Sequence, residues 1–348
     1  MRVRRTAAAA GVVGLAVTAE VLLRRRRPRT AHGRYADWVH PGSPAAGPLQ
    51  ALADSPTAGP LQALADSLAA RPLQALADSL AARPLQALAN SRAARAAAEA
   101  LPVPPMVSDI TDVVYVNYLV PAARLLPLVP EGLRLQRIGP DGEQAVFTFL
   151  TYRHGHLGPP ILGRLRRILP SPVQTNWRIY VHDPHTGHDG VHFVTTAVDR
   201  AAHALGGRLF CEALPMHLLR RAAVERADEA TVRLRLDPGI GSAPDADAVL
   251  TFAPEPAGGP WRSAFGTYQD MLRYVVHQDR ALSVQPWHRR ITRQEIRLGL
   301  TPADCHPLAG SVRSRSARAI VGDAEPFSFH VPRVTLRFDS EEYHVLRP

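Results

Sequence analysis

Asn176, Arg178 and Tyr180 alternate with Trp177, Ile179 and Val181 in a run rich in strand-forming residues. A period of two places the three polar side chains on one face of a β-strand and the apolar three on the other. Arg178 is the residue of chemical interest, because a guanidinium is a fixed cation whose planar fork donates two parallel hydrogen bonds to a carboxylate or phosphate. The pattern alone favours the aromatic row as core and the polar row towards solvent. A polar row turned into an enclosed space would instead make Arg178 an anion anchor. His192 falls on the next strand, in phase with Val194 and Thr196. Arg208 follows two glycines after a helical stretch, where an arginine either completes the helix macrodipole or holds a substrate. Glu212 and His217 flank Pro215. A histidine near a carboxylate is a candidate acid–base pair, and a surface loop is the competing arrangement.

His182, His185 and His188, with Asp183 and Asp189, have the look of a metal cluster. The intervening Pro-His-Thr-Gly-His-Asp is also good turn chemistry, and an exposed hairpin is the expectation. His154 and His156 are read the same way. Arg164, Arg166 and Arg167 lie in ILGRLRRILP, between proline breaks. They are expected in a solvated turn; capping of the fold or contact with anionic lipid are the alternatives. No phosphate-binding glycine loop, nucleophile elbow or zinc-ribbon spacing occurs, so no cofactor or metal is expected.

Every basic residue counted in the formal charge of +10 is arginine, and the 348 residues include no lysine. No side-chain amine is therefore present to form an imine. Residues 1–40 hold nine arginines against Glu20 and Asp37, a local charge of +7 that leaves +3 for the remainder. The basic character belongs mainly to that segment and gives no reason to expect nucleic acid as a partner. Cys211 and Cys305 are too few for a disulfide framework, so reduced thiols are the default.

The elements fall in three regions. Ala7–Leu23 is apolar except for Thr18 and Glu20 and is flanked by arginines. As a helix it would span about 25 Å, slightly short of a bilayer core. A single-pass anchor is favoured over a cleaved signal peptide, because Arg24–Arg27 resemble a stop-transfer sequence; a spurious upstream start is the third reading. With an anchor, the arginine balance places the following domain in the cytoplasm. Residues 41–104 carry four units with a period of twelve, starting at Gly47, Gly59, Arg71 and Arg83. That period matches neither a heptad nor a common solenoid, and a duplicated linker of broken helical turns is expected. Residues 105–348 read as many short strands. Leu133–Ile138, Ile291–Leu300 and Ala317–Val321 are among them, and Ala201–Leu209, Pro215–Val224 and Phe265–Ala281 read as helices. The fold class expected is mainly β (α+β), a barrel or sandwich.

Ser171–Leu219 contains TNWRIYV, GVHFVTTAVD and LPMH, and VPAARLLPLVPEGLRL precedes it. These pieces resemble the YqjF-like domain-of-unknown-function family, over most of 107–348. The resemblance implies membership of the acetoacetate decarboxylase-like superfamily, a β-barrel with a central cavity. It therefore raises the inward option for Asn176, Arg178 and Tyr180. In the decarboxylases a helix, a Gly-Arg-Glu segment and a Pro-Lys-Lys with the imine-forming lysine follow in order. Here the corresponding positions are Gly207-Arg208-Leu209 and Pro215-Met216-His217. Methionine forms no imine, and histidine supports acid–base but not Schiff-base chemistry.

The expectation is thus a small-molecule-binding barrel with no cofactor. A carboxylate ligand would meet Asn176, Arg178, Tyr180, His192 and Arg208. Any catalysis would be of an acid–base lyase, isomerase or hydrolase type, with His217 and Glu212 carrying protons. A membrane-tethered interaction scaffold is the alternative, and homo-oligomer formation is left open.

Overall fold

The computed structural model describes residues 106–169, 171–210, 215–276, 279–285 and 290–345. The apolar segment 7–23 and the twelve-residue repeats lie outside the described residues. No described helix is long and apolar enough to cross a membrane.

The strands of the folded region are β1 (Met106–Pro121), β2 (Arg134–Leu135), β3 (Gln144–Arg153), β4 (Val173–Asp183), β5 (His188–Val198), β6 (Met216–Leu218), β7 (Arg221–Arg226), β8 (Thr231–Asp237), β9 (Ala246–Phe252), β10 (Arg280–Gln285), β11 (Arg290–Leu298), β12 (His306–Arg313) and β13 (Pro326–Val345). The helices are α1 (Ala122–Leu125), α2 (Ala201–Phe210), α3 (Arg262–Phe265), α4 (Tyr268–Val276) and α5 (Arg315–Val321). The fold is mainly β with a few short helices.

The sheet runs in the order β1-β3-β4-β5-β10-β11-β13, and β1 pairs with β13, so these strands wrap into a closed ring. From β13 the sheet continues through β12, β9 and β8 to β7 as a wing. The long β13 makes both arrangements possible. Its first half pairs with β1 over Tyr118↔Pro326 to Met106↔Phe338 and with β12 at His330↔His306, and its second half pairs with β11.

Two apolar clusters lie on opposite faces of the ring strands. One gathers Val114, Val116, Phe147, Phe149, Trp177 and Ile179 with Leu234, Ala248 and Leu250 of the wing. The other gathers Tyr115, Leu150, Tyr152, Tyr180, Phe193 and Phe329 with Met271, Leu272 and Val275 of α4. The α4 residues recur at spacings of three and four and so form one helical face. Strands covered on both faces need no polar alternation, and β4 is buried almost throughout. In contrast β8, with one open face, alternates buried and exposed residues.

Four elements differ from the sequence expectation. Pro215–Val224 is not a helix: Met216–Leu218 pairs in parallel with β5, and Arg221–Arg226 pairs with β8. Ala317–Val321 is not a strand but part of α5, capped by Ser314 Oγ, which accepts from the Ala317 amide at 2.8 Å. Phe265–Ala281 breaks into α3, α4 and the start of β10, and Gly266 at φ 71° ends α3. Leu133–Ile138 shrinks to the two residues of β2.

Candidate functional site

The face of the ring covered by α4 carries the polar side chains. Gln174, Asn176, Arg178 and Tyr180 of β4 point there, and all are buried; Arg178 is 4 % exposed and Asn176 6 %. Their apolar neighbours Trp177, Ile179 and Val181 fill the face covered by the wing. The solvent-facing arrangement favoured by pattern is thereby overturned: a second layer covers each side of the strand.

Arg178 Nη2 donates to the Val275 carbonyl at 2.9 Å and to the Tyr180 hydroxyl at 3.4 Å. Val275 is in the last turn of α4, where carbonyls lack partners within the helix and a cation is favoured. The guanidinium carbon sits 5.6 Å from the Tyr115 ring centre and 5.5 Å from that of Tyr180, within the range of cation–π attraction. Its Nε is buried with no hydrogen-bond partner. No carboxylate among the described residues pairs with it. Burial works against its charge, but the adjacent hydroxyls of Tyr180 and Tyr115 outweigh that and raise its pKa, so it stays cationic.

Two hydrogen-bonded groups flank the guanidinium. In the first, the Tyr180 hydroxyl lies 2.9 Å from Thr148 Oγ1 and 3.3 Å from the Val275 carbonyl. Thr148 donates to Asn117 Oδ1 at 2.8 Å, and Asn117 Nδ2 donates to the Phe327 carbonyl at 3.0 Å. The second is a directional chain. Ser108 Oγ lies 2.8 Å from His154 Nδ1, and His154 Nε2 lies 2.9 Å from Gln174 Oε1. An amide oxygen only accepts, so the Nε2–H tautomer is selected and Ser108 donates to Nδ1. Gln174 Nε2 then donates to Asn176 Oδ1 at 2.8 Å, and Asn176 Nδ2 donates to the Tyr152 hydroxyl at 3.1 Å. Burial pushes the Tyr115 hydroxyl up to about 12 and raises that of Tyr152. Burial holds His154 down at about 4, so its imidazole is neutral at pH 7.

The other expected site residues are not brought to Arg178. His192 is on the opposite face, paired with Ile179, with Nδ1 3.0 Å from the Leu282 carbonyl. His217 is paired with Ala197 on β5, also on the wing-covered side, and its Nδ1 lies 2.8 Å from Ser242 Oγ. Arg208 is in α2, but its side chain lies outside the described residues, as does all of Glu212. Residues that the sequence reading missed are Ser108, Asn117, Thr148, Tyr152, His154 and Gln174. Period two carried one step back from Asn176 would have reached Gln174, and carried along β3 and one residue past its end it links Thr148, Tyr152 and His154.

The histidine-rich loop is a turn between β4 and β5. The Asp183 carboxylate accepts from the His185 amide and the Thr186 hydroxyl, and Gly187 at φ 70° closes it. His182 pairs with Asp189 at 2.8 Å on the surface. Among the described residues no group of three His, Cys, Asp or Glu side chains is placed to hold a metal. His154 departs from the exposed turn expected for it, being 2 % exposed. Cys305 is a buried free thiol, and Cys211 lies outside the described residues.

The family DUF2071, described as an uncharacterized conserved protein (COG2071), matches residues 108–318. The chain belongs to this family. The matched span of this DUF2071 member includes β3, β4 and α4, and thus Arg178 and the groups around it. No curated protein matches the chain. Among solved structures, acetoacetate decarboxylase from Legionella pneumophila is similar at 12% identity and TM-score 0.48, covering 69% of this chain and 87% of its own. An acetoacetate decarboxylase-like enzyme from Sphingomonas wittichii is similar at 10% identity and TM-score 0.46, covering 69% and 93%. The enduracididine biosynthesis enzyme MppR, solved with pyruvate, is similar at 14% identity and TM-score 0.46, covering 70% and 91%.

Proposed function

We propose that this DUF2071 member binds a small organic acid at Arg178. One observation carries the reading: a buried guanidinium with an unpartnered Nε and no carboxylate beside it. Burying an unpaired cation costs several kcal/mol by an order-of-magnitude estimate, and a bound carboxylate would offset that cost with charge-assisted hydrogen bonds. Asn176 and Tyr152 supply polar groups on the same face. Imine chemistry does not enter, because the chain has no lysine. Binding is favoured over turnover by the protonation states nearby. Proton transfer is efficient when the pKa lies near the working pH, whereas His154 is held at about 4 and Tyr115 at about 12. The apolar run 7–23 would tether the domain to the cytoplasmic face of a membrane.

The test is ligand-induced thermal stabilisation of the full chain by a panel of small carboxylates, for the wild type and Arg178→Gln. A ligand at a hundredfold excess over its Kd stabilises by about 2.7 kcal/mol, which is readily measured. A shift in the wild type that is absent in a folded Arg178→Gln protein is expected. No shift with any acid would overturn the reading. The bond to the Val275 carbonyl favours a second reading, in which Arg178 only pins the end of α4 and the ring is a scaffold. In that case Arg178→Gln would lower stability without altering any ligand response.

A further inference from the structure

The segment between β3 and β4 straps across the start of β1. Asp109 N donates to the Gly155 carbonyl at 2.8 Å, and Val107 and Gly158 exchange backbone hydrogen bonds at 3.0 Å. The approach is close enough that a Cβ on Gly155 would lie 2.4 Å from the Asp109 carbonyl oxygen. Within the strap His156 has φ 56°, a left-handed conformation that is strained for a non-glycine residue.

The strap and β13 enclose a cleft of about 430 Å³ lined by Asp109, Thr111, His156, Arg166, Arg167 and Arg333. Arg166 is fixed. Its Nη1 donates to the Val107 and His156 carbonyls, each at 3.0 Å, and its Nη2 donates to Asp109 Oδ2 at 3.2 Å. Arg333 enters from β13, directly opposite Thr111 in the β1–β13 register. Arg167 follows Arg166 on the strap and is exposed. Asp109 is the one acid among these lining residues, and Arg166 and His156 already engage it. Arg167 and Arg333 have no acidic partner among the described residues. The cleft therefore presents two free guanidinium forks, a threonine hydroxyl and an imidazole, with a net charge of two when His156 is neutral.

We propose that this cleft binds a phosphomonoester dianion, with Arg167 and Arg333 as its two forks and Arg166 as the fixed charge behind them. Two free forks match the charge and the three terminal oxygens of that group better than they match a monoanionic carboxylate. The same chemistry is offered by a phosphatidic acid headgroup and by a free phosphorylated metabolite. The proposal is independent of Arg178, which lies on the α4-covered face of the ring.

The experiment uses the full chain, with inorganic phosphate in isothermal titration and phosphatidylcholine vesicles containing either phosphatidic acid or phosphatidylserine in sedimentation. The double variant Arg167→Gln/Arg333→Gln is compared with Arg273→Gln/Arg318→Gln, which removes two exposed arginines elsewhere. Phosphate binding is expected to weaken by tenfold or more in the cleft variant, since two charged hydrogen-bond donors are removed, and to stay unchanged in the control. Selective recruitment to phosphatidic acid that depends on the same two arginines assigns the ligand to lipid. Phosphate binding without recruitment assigns it to a soluble phosphomonoester. Absence of both, or equal loss in the two double variants, overturns the proposal.

Discussion

At the scale of single residues, His154 determines how the Arg178 surroundings respond to pH. The imidazole is fully buried and its two ring nitrogens are occupied by Ser108 and Gln174. Burial lowers its pKa to about 4 in the fold, against about 6.5 in the unfolded chain. Between those values the unfolded chain takes up a proton that the native state refuses. Stability is therefore full above about pH 6.5, falls as pH drops towards 4, and levels off below it. The loss amounts to roughly 3 kcal/mol for a shift of this size. His203 on α2, also lowered to about 4 by burial, adds a change of the same sign. Urea unfolding across this window should show a flatter profile for His154→Gln than for the wild type. The variant should also be less stable at pH 7 by about 1–3 kcal/mol, the cost of disturbing two buried partners. Equal slopes for the two proteins would remove His154 from the account.

At the scale of elements, α4 and β4 define each other. The helix buries Met271, Leu272 and Val275 against the ring, and its Val275 carbonyl accepts from Arg178. Truncating Leu272 to Ala removes a fully buried side chain and should cost about 2–5 kcal/mol. The check is a lower urea midpoint with an unchanged m-value, and a change under 1 kcal/mol would mean that α4 is loosely docked. The same pair of elements shows what could be read in advance. That Asn176, Arg178 and Tyr180 share a face follows from backbone geometry alone, and they do. That both faces of β4 are covered does not follow, because burial depends on α4 and the wing, which are distant in sequence. The run Trp177, Ile179, Val181 looked like the one core face for that reason. His154 was read with His156 as part of an exposed turn, yet the backbone bonds of Gly155 and Gly158 draw the strap against β1. The α5 assignment failed although its signals were local, a Ser cap at 314 and Gly322 at φ 71°. The β-branched pair Ile320 and Val321 favours a strand by propensity, against the helix preference of Ala317 and Ala319.

At the scale of the whole molecule, closure rests on β13. It pairs with β1, β11 and β12, so it joins both edges of the ring and the wing. It also contributes Phe327, Phe329, Val331, Val334 and Leu336 to the cluster beneath α4, with Phe329 stacked on Tyr115 at 4.5 Å between ring centres. The DUF2071 match ends at residue 318, before this strand begins. A chain truncated after Val321 would keep the whole matched span and all of α5. It would nonetheless leave β1, β11 and β12 with open edges and uncover apolar side chains of the helix-covered face. Open hydrophobic edges promote association between chains, and lost packing leaves compact, loosely ordered states. The truncated chain is therefore expected to lose near-UV circular dichroism, bind a hydrophobic dye and aggregate, while the full chain unfolds in one transition. A truncated protein that unfolds cooperatively and stays monomeric would show that the ring closes without β13. The Tyr115 and Asn117 contacts to Phe329 and Phe327 would then have to be made by other residues.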